Sequence, residues 1–423
     1  MKTKKFYVIL FLSITITFMF FALWLISNRG MTREYNKYFG WRLLYPFEEE
    51  VEEKIAEEIS EPEKKSQILA KFSFFKSKIN QFTEEGIPYR YNFIEAARRY
   101  EDLIHWNMTP LLEYNPVEKQ DNGYLLGFTG SVDVSDKVKS TVEFAKFCSE
   151  KEIKFLYVAA PSKTCIYEDK SISGILDFSN HNADRFLRGL EEKHINYYDL
   201  RKILHDEGMN HHEAFFKTDH HWKPETGLWA AKHILEFLRD NYGWDVKPEI
   251  LNPENFEKVI YPEWFLGSQG KKLTLARSKP DDISLFYPKY KTSLNFTVPS
   301  LEMNKTGSFD IIYFMKEIEH KDYYNLSPYY TYSGGDFPII KFTNMLETNN
   351  KHILVIKDSF AKAFTPFLAL GINRVDEIDL RYFNGSLRSY IKSEDFDAII
   401  ILYGIVDIAD FRFKPHQELY DFR

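Results

Sequence analysis

Residues 353–359 read Ile-Leu-Val-Ile-Lys-Asp-Ser, an apolar run that ends in a lysine, an acid and a hydroxyl. A short apolar run without alternation is what a strand buried on both faces requires. Such strands occupy parallel sheets covered by helices. The pattern predicts a strand over 352–357 and a helix over 360–370. The rhythm continues with a strand at 375–380, a helix at 387–392 and a strand at 398–402. Upstream it predicts helices over 138–151, 183–193 and 224–242, and strands over 153–160 and 195–198. Pro224 suits the first turn of its helix, and Asn241–Gly243 suits its end. Strand–helix–strand units imply right-handed crossovers and a parallel sheet. Residues 244–348 break the rhythm with prolines, glycines and alternating segments such as Ser293–Val298 and Phe309–Phe314. They read as a β-rich insertion. The expected fold is therefore an α/β domain over 121–423, a parallel sheet flanked by helices and interrupted at 244–348.

Ser359 falls at the carboxyl end of its strand, where an open parallel sheet places ligands. There the hydroxyl can project from a tight turn, and a helix N-terminus would offer donors to an oxyanion. The same Asp-Ser pair is also an ordinary helix cap. About 140 residues upstream, Lys217–Trp222 reads Lys-Thr-Asp-His-His-Trp. In extended backbone, residues two apart point the same way, so Asp219 can orient His221 while His220 points elsewhere. Acid, imidazole and hydroxyl are the parts of an acyl-transfer triad. Softer candidates for substrate or oxyanion contacts are Lys163, Trp222, Arg381, Tyr382 and Gly385. A metal reading competes, because His211, His212, Glu213, Asp219, His220 and His221 lie close in sequence. Adjacent loop histidines do not match helical metal-ligand spacing, so no metal and no cofactor is expected.

Phe6–Ile26 is apolar apart from Ser13, Thr15 and Thr17, and Lys2, Lys4 and Lys5 precede it. At about 1.5 Å per residue this crosses a hydrocarbon core of about 30 Å. The lysines place the N-terminus in the cytoplasm and the remainder outside. The expected organisation is a tail and transmembrane signal anchor over 1–30, then a helical stalk over 31–120. In that stalk Ile68, Phe72, Phe75 and Ile79 fall at helical intervals. A net charge of −7 and the absence of a basic block exclude a nucleic-acid partner. The two cysteines, Cys148 and Cys165, flank a strand whose length holds them too far apart for a disulfide.

Thr218-Asp219-His220-His221-Trp222, Lys357-Asp358-Ser359-Phe360, Pro161-Ser162-Lys163 and Arg381-Tyr382-Phe383-Asn384-Gly385-Ser386 resemble the DHHW protein family. That family is similar to the alginate O-acetylation proteins AlgJ and AlgX, with a circularly permuted SGNH-hydrolase-like fold. The resemblance implies Ser359 as nucleophile, His221 as base and Asp219 as the orienting acid. It departs from the SGNH pattern at Leu402–Asp407, which stands where a Gly-x-Asn-Asp block belongs. What it implies is a membrane-anchored, extracytoplasmic serine O-acetyltransferase acting on a cell-surface or exported polysaccharide. A multi-spanning membrane protein would then supply acetyl groups. An acetyl esterase with the same triad is the second reading. A non-catalytic glycan-binding or assembly protein is the third.

Overall fold

Along residues 352–357 successive side chains enter two different cores. Ile353 and Val355 join one, Leu354 and Ile356 the other. This period of two is the mark of a strand covered on both faces, and full burial of each such side chain is worth about 1.5–3 kcal/mol. In this computed structural model the described residues are Glu95, Arg99, 117–120, 122–165, 167, 177–347, 349–409 and 419–423. Residues 117–423 form one compact unit.

In chain order the first half holds β1 (Glu118–Lys119), β2 (Leu125–Leu126), α1 (Ser135–Ser149), β3 (Lys154–Ala160), α2 (Ser179–Glu191), β4 (Tyr197–Asp199), α3 (Leu200–Asp206) and α4 (Pro224–Tyr242). The middle holds β5 (Phe256–Phe265), α5 (Ser268–Arg277), β6 (Asp281–Pro288), β7 (Leu294–Val298), β8 (Met303–Gly307) and β9 (Ile339–Asn344). The last part holds β10 (His352–Lys357), α6 (Thr365–Leu368), β11 (Arg374–Ile378), α7 (Leu387–Ser393) and β12 (Ala398–Gly404).

One sheet of eight strands runs in the order β4-β3-β12-β10-β11-β9-β7-β8. Strands β4, β3, β12, β10 and β11 are mutually parallel. Strands β9, β7 and β8 extend the sheet in antiparallel pairing. Helix α4 packs on one face through Leu228, Ile234, Leu235 and Leu238. Helices α1, α2 and α7 cover the other through Phe144, Phe186, Leu190 and Ile391.

The sheet is mixed rather than parallel throughout, because part of the 244–348 region joins it. The alternation of β7 and β9 produces half-buried strands, and Phe296, Ile340 and Phe342 feed the main core. Half-buried alternation is the antiparallel pattern. Phe309–Ile312 is a 3-10 turn and not a strand. The helix expected over 360–370 is also different. A 3-10 turn spans Ser359–Ala363, and α6 restarts at Thr365. Pro366 lacks an N–H and fits only the opening turn of a helix, which explains the restart. Cys148 is buried, Cys165 half-buried, and both are free. The expected anchor at Phe6–Ile26 and almost all of the expected stalk lie outside the described residues. Among the described residues no helix is long and apolar enough to cross a membrane.

Candidate active site

Strand β10 lies between β12 and β11 and delivers Ser359 just past its carboxyl end. Asp358 shapes the turn. Its Oδ1 accepts the Phe360 amide at 2.8 Å and its Oδ2 accepts the Gly404 amide at 2.5 Å. The Phe360 donor is therefore spent on capping, and the Ala361 amide reaches the Asp358 carbonyl at 3.4 Å. The turn Ser359–Ala363 is buried throughout. Helix α4 presses against it so closely that a Cβ on Gly227 would lie 1.9 Å from the Ala363 carbonyl oxygen. Only glycine permits that approach.

Residues 217–222 are held differently. The Asp281 carboxylate accepts from the Lys217 and Thr218 amides, each at 2.8 Å, and from the Thr218 hydroxyl at 2.6 Å. Asp219 Oδ1 accepts from the His221 amide at 3.0 Å and from His221 Nδ1 at 2.5 Å. Its Oδ2 accepts the Ser268 amide at 2.6 Å. Gly267 sits so close that a Cβ there would fall 2.2 Å from Asp219 Cβ.

The two pieces meet at one hydrogen bond: His221 Nε2 lies 2.6 Å from Ser359 Oγ. An ionised carboxylate only accepts, so the proton of the neutral imidazole resides on Nδ1 and Nε2 accepts from the serine hydroxyl. Burial alone would raise the Asp219 carboxyl. The neighbouring His221 and His220, the His221 bond and the Ser268 amide outweigh it and hold the group well below its ordinary range. The His221 ring stacks on Tyr329 at 4.5 Å between centroids. The Trp222 indole and the Tyr329 hydroxyl both donate to the Phe360 carbonyl, at 2.9 and 3.3 Å. The 217–222 loop and the Ser359 turn are thereby fastened together one residue past Ser359.

The remaining predicted residues fall in several places. His220 turns away from the serine. Its side chain is part-exposed, and its Nδ1 lies 3.1 Å from Ser268 Oγ. Trp222 is fully buried, and its indole is spent on the Phe360 carbonyl. Lys163 is buried too, donating to Gln269 Oε1 at 2.6 Å and to the Lys217 carbonyl at 3.1 Å. Burial pushes its amine down to about 7 against the pull of Asp219 and Asp281. Lys163 thus supports the back of the 217–222 loop. Arg381 grips Asp379 with two bonds, 2.8 and 2.5 Å, and reaches Asp336 at 3.4 Å. Tyr382 is 42% exposed beside it. Gly385 lies under the Phe383 ring.

Asp336 centres a buried ionic cluster next to the Ser359 turn. Lys357, Lys362 and Arg381 approach it at 3.3, 2.8 and 3.4 Å. Glu377 and Asp379 approach Lys357 at 3.4 and 3.3 Å. Three cations face three carboxylates, so the cluster is balanced, as buried charges require. Burial opposes ionisation of Asp336, but the three cations hold its carboxyl far below the usual range. As for metal binding, potential ligand atoms of Asp219, His220 and His221 lie within 4.8 Å of one another. Those of Asp219 and His221 are already engaged in the hydrogen-bonded chain to Ser359, so the donors do not fit a metal centre.

Asp281, Gly267, Ser268, Gln269, Tyr329 and Asp336 were not among the residues expected from sequence. All lie within 244–348, and Leu266-Gly267-Ser268-Gln269-Gly270 carries the only local hint, a glycine-framed helix start.

Comparisons with known proteins agree with this architecture. Residues 132–258 match the family model described as the SGNH hydrolase-like domain of acetyltransferase AlgX. The match includes the 217–222 loop and ends before Ser359. Among solved structures, PatB1 of Bacillus cereus superposes with a TM-score of 0.60 at 20% identity, covering 73% of this chain and 100% of that one. PatB1 bearing a sulfonyl adduct gives 0.60 at 19% identity, covering 73% and 99%. A DHHW family protein from Eubacterium siraeum gives 0.54 at 17% identity, covering 70% and 92%. These likenesses establish the fold. No curated protein matches the chain in sequence.

Proposed function

We propose that this chain is a serine O-acetyltransferase acting on a cell-surface or exported polysaccharide, tethered to the membrane by Phe6–Ile26. The observation that carries the reading is the unbroken chain Asp219–His221–Ser359, with bonds of 2.5 and 2.6 Å. Its match to an acetyltransferase family model supports the choice of acyl group. In the proposed first step Ser359 Oγ attacks the acetyl carbonyl and its proton passes to His221 Nε2. The resulting imidazolium is stabilised by Asp219. It returns the proton to the departing group as the tetrahedral intermediate collapses to acetyl-serine. A sugar hydroxyl then gives its proton to His221 and attacks the acetyl carbon, and as this second intermediate collapses His221 returns the proton to Ser359 Oγ, releasing the acetylated sugar and the free serine. The tetrahedral oxyanion needs donors. Two candidates stand out, the Ser359 amide at the turn itself and Arg381 Nη1, left over once Nε and Nη2 have bonded Asp379 and Asp336. We assign that role to them, with Tyr382 exposed beside Arg381 where a sugar can rest. The donor would be a multi-spanning membrane protein that delivers acetyl groups outward.

The test is intact mass and turnover with a chromogenic acetyl ester, with and without an oligosaccharide acceptor, in wild type and Ser359→Ala. An acetyl adduct on wild type, absent from the variant, with ester formed on the sugar, is the expected result. The variant should lose at least about 10³-fold in rate. Adduct formation resolved only by water would make the protein an esterase. Equal rates in both proteins would remove the catalytic reading.

A further inference from the structure

Residues 329–336 touch the Ser359 turn at both of their ends. At the first end, the Tyr329 hydroxyl donates to the Phe360 carbonyl at 3.3 Å, and the Tyr330 ring lies 4.8 Å from Lys362 Nζ. At the other end, Asp336 Oδ1 lies 2.8 Å from the same Nζ. The chain between them doubles back through three consecutive residues of positive φ, Ser333 at 59°, Gly334 at 80° and Gly335 at 149°. Glycine takes such a backbone freely, whereas a serine there is strained. Ser333 is also fully buried, and its Oγ has no hydrogen-bond partner among the described residues. Strain of this kind persists only where the surrounding structure holds it.

What the doubled-back chain delivers is one oxygen. Three cations from three places converge on Asp336 Oδ1: Lys357 at the end of β10, Lys362 in the Ser359 turn and Arg381 in the loop after β11. Lys357 also has Glu377 and Asp379, and Arg381 also has Asp379. Lys362 is fully buried and makes no other ion pair among the described residues. Asp379 lies two residues before Arg381, so its grip sets the guanidinium within its own loop. Asp336 reaches Lys362, on the far side of Ser359, and so relates Arg381 to the turn. We infer that Asp336 is a positioning residue that fixes the Arg381 guanidinium against the Ser359 turn. The kinetic part of the inference rests on the serine-acyltransferase reading above, in which Arg381 Nη1 serves the oxyanion. Asp336 itself is spent on the three cations and acts through Arg381. Misplacement at a reacting centre by about 1 Å costs about 10²-fold in rate.

The test is a double-mutant cycle in the full-length chain, with Asp336→Asn, Arg381→Ala and the two together. Asparagine keeps the size of Asp336 and removes its charge, which leaves three cations against two carboxylates. The double variant has two of each. The first arm compares melting temperatures. Asp336→Asn should melt lower than wild type by about 5 °C or more, since a buried cation has lost its partner. The double variant should lose less than the two single losses added together. The second arm measures turnover of a chromogenic acetyl ester. Asp336→Asn should lose about 10²-fold in kcat with KM unchanged, because the oxyanion forms only on the way to the transition state. In the Arg381→Ala background the same substitution should cost less than about threefold, since no guanidinium is left to aim. Asp336→Asn combined with Lys362→Met separates aim from charge balance, because it keeps Arg381 and again leaves two cations and two carboxylates. It should melt close to wild type and stay about 10²-fold slow. A wild-type rate in that variant overturns the positioning role and leaves Asp336 a counter-charge. Rate losses that multiply in the Asp336→Asn and Arg381→Ala pair overturn it as well. Melting losses that simply add overturn the coupling of the three cations through one oxygen. Absence of both turnover and acetyl adduct in wild type overturns the serine reading and the kinetic role with it, while the melting cycle still decides the coupling.

Discussion

The base loop at 217–222 and the nucleophile turn at 357–363 contribute the two ends of one 2.6 Å hydrogen bond, yet they are held in place by opposite means. The loop hangs on polar bonds. Asp281 takes three donors from it, Ser268 gives its amide to Asp219, and Lys163 grips its backbone from behind. The turn is held by burial, pressed between α4 and the end of the sheet, with its ionic contacts sealed inside. Two buried aspartates show the contrast most directly. Asp219 is surrounded by donors and imidazoles that hold its carboxyl well below the ordinary range, whereas burial, and after it a neighbouring carboxylate, pushes Asp358 well above it. Environment, and not residue type, assigns each its charge.

The largest effect should come from the loop's acid. Asp219→Asn keeps the shape but reverses the hydrogen-bond demand on His221 Nδ1, so turnover of an acetyl ester should fall by about 10⁴-fold. The same variant bears on acid stability. Asp219 contributes stability above the unfolded carboxylate value of about 4, lost as pH falls through its lower folded value. Asp219→Asn should lose that acid dependence in a urea titration. A rate loss below about tenfold would mean that the loop does not set the tautomer.

The next break separates the two supports through their glycines. Gly267→Ala drives a methyl into Asp219 and should cost about 10²-fold in rate through misplacement. Gly227→Ala drives one into the Ala363 carbonyl inside the packed face of α4, so it should cost about 1–3 kcal/mol of stability. Denaturation midpoints and rates measured on both proteins check this. If the two variants lose stability and activity in the same proportion, the distinction between loop and turn is wrong.

The mildest perturbation targets the tie between them. Trp222→Phe keeps the ring in the core but removes the indole donor to the Phe360 carbonyl, leaving the Tyr329 hydroxyl. A loss of about 1 kcal/mol is expected on denaturation. Doubling this with Tyr329→Phe strips the carbonyl of both donors. The double variant should lose more than the two single losses added together.

How much of this was legible in sequence follows from how far each contact reaches along the chain. Strand β10 and helix α4 were readable with their bounds because burial and the position of Pro224 are written locally. The Asp219–His221 pairing was readable because extended backbone aligns residues two apart. The turn after Ser359 was misread as a helix. Its apolar content suited either form, and Pro366 decided the break. The joining of β7 and β9 to the main sheet was not legible, since strand alternation says that one face is covered but not by what. Nor did any local pattern announce that Ser268 would face Asp219, 49 residues away, or that Asp281 would hold Thr218, 63 away.

The strand order also determines when this molecule can exist. Strand β12 is the last strand among the described residues and pairs with β3 on one side and β10 on the other. A ribosome that has delivered everything up to residue 397 has made a split object, with two half-sheets whose facing edges are both open. Only the next seven residues, Ala398–Gly404, close the seam. A stop codon anywhere before them would yield a sticky fragment that chaperones and proteases must clear, not a weakened protein. In this fold the most damaging truncations are those that remove β12.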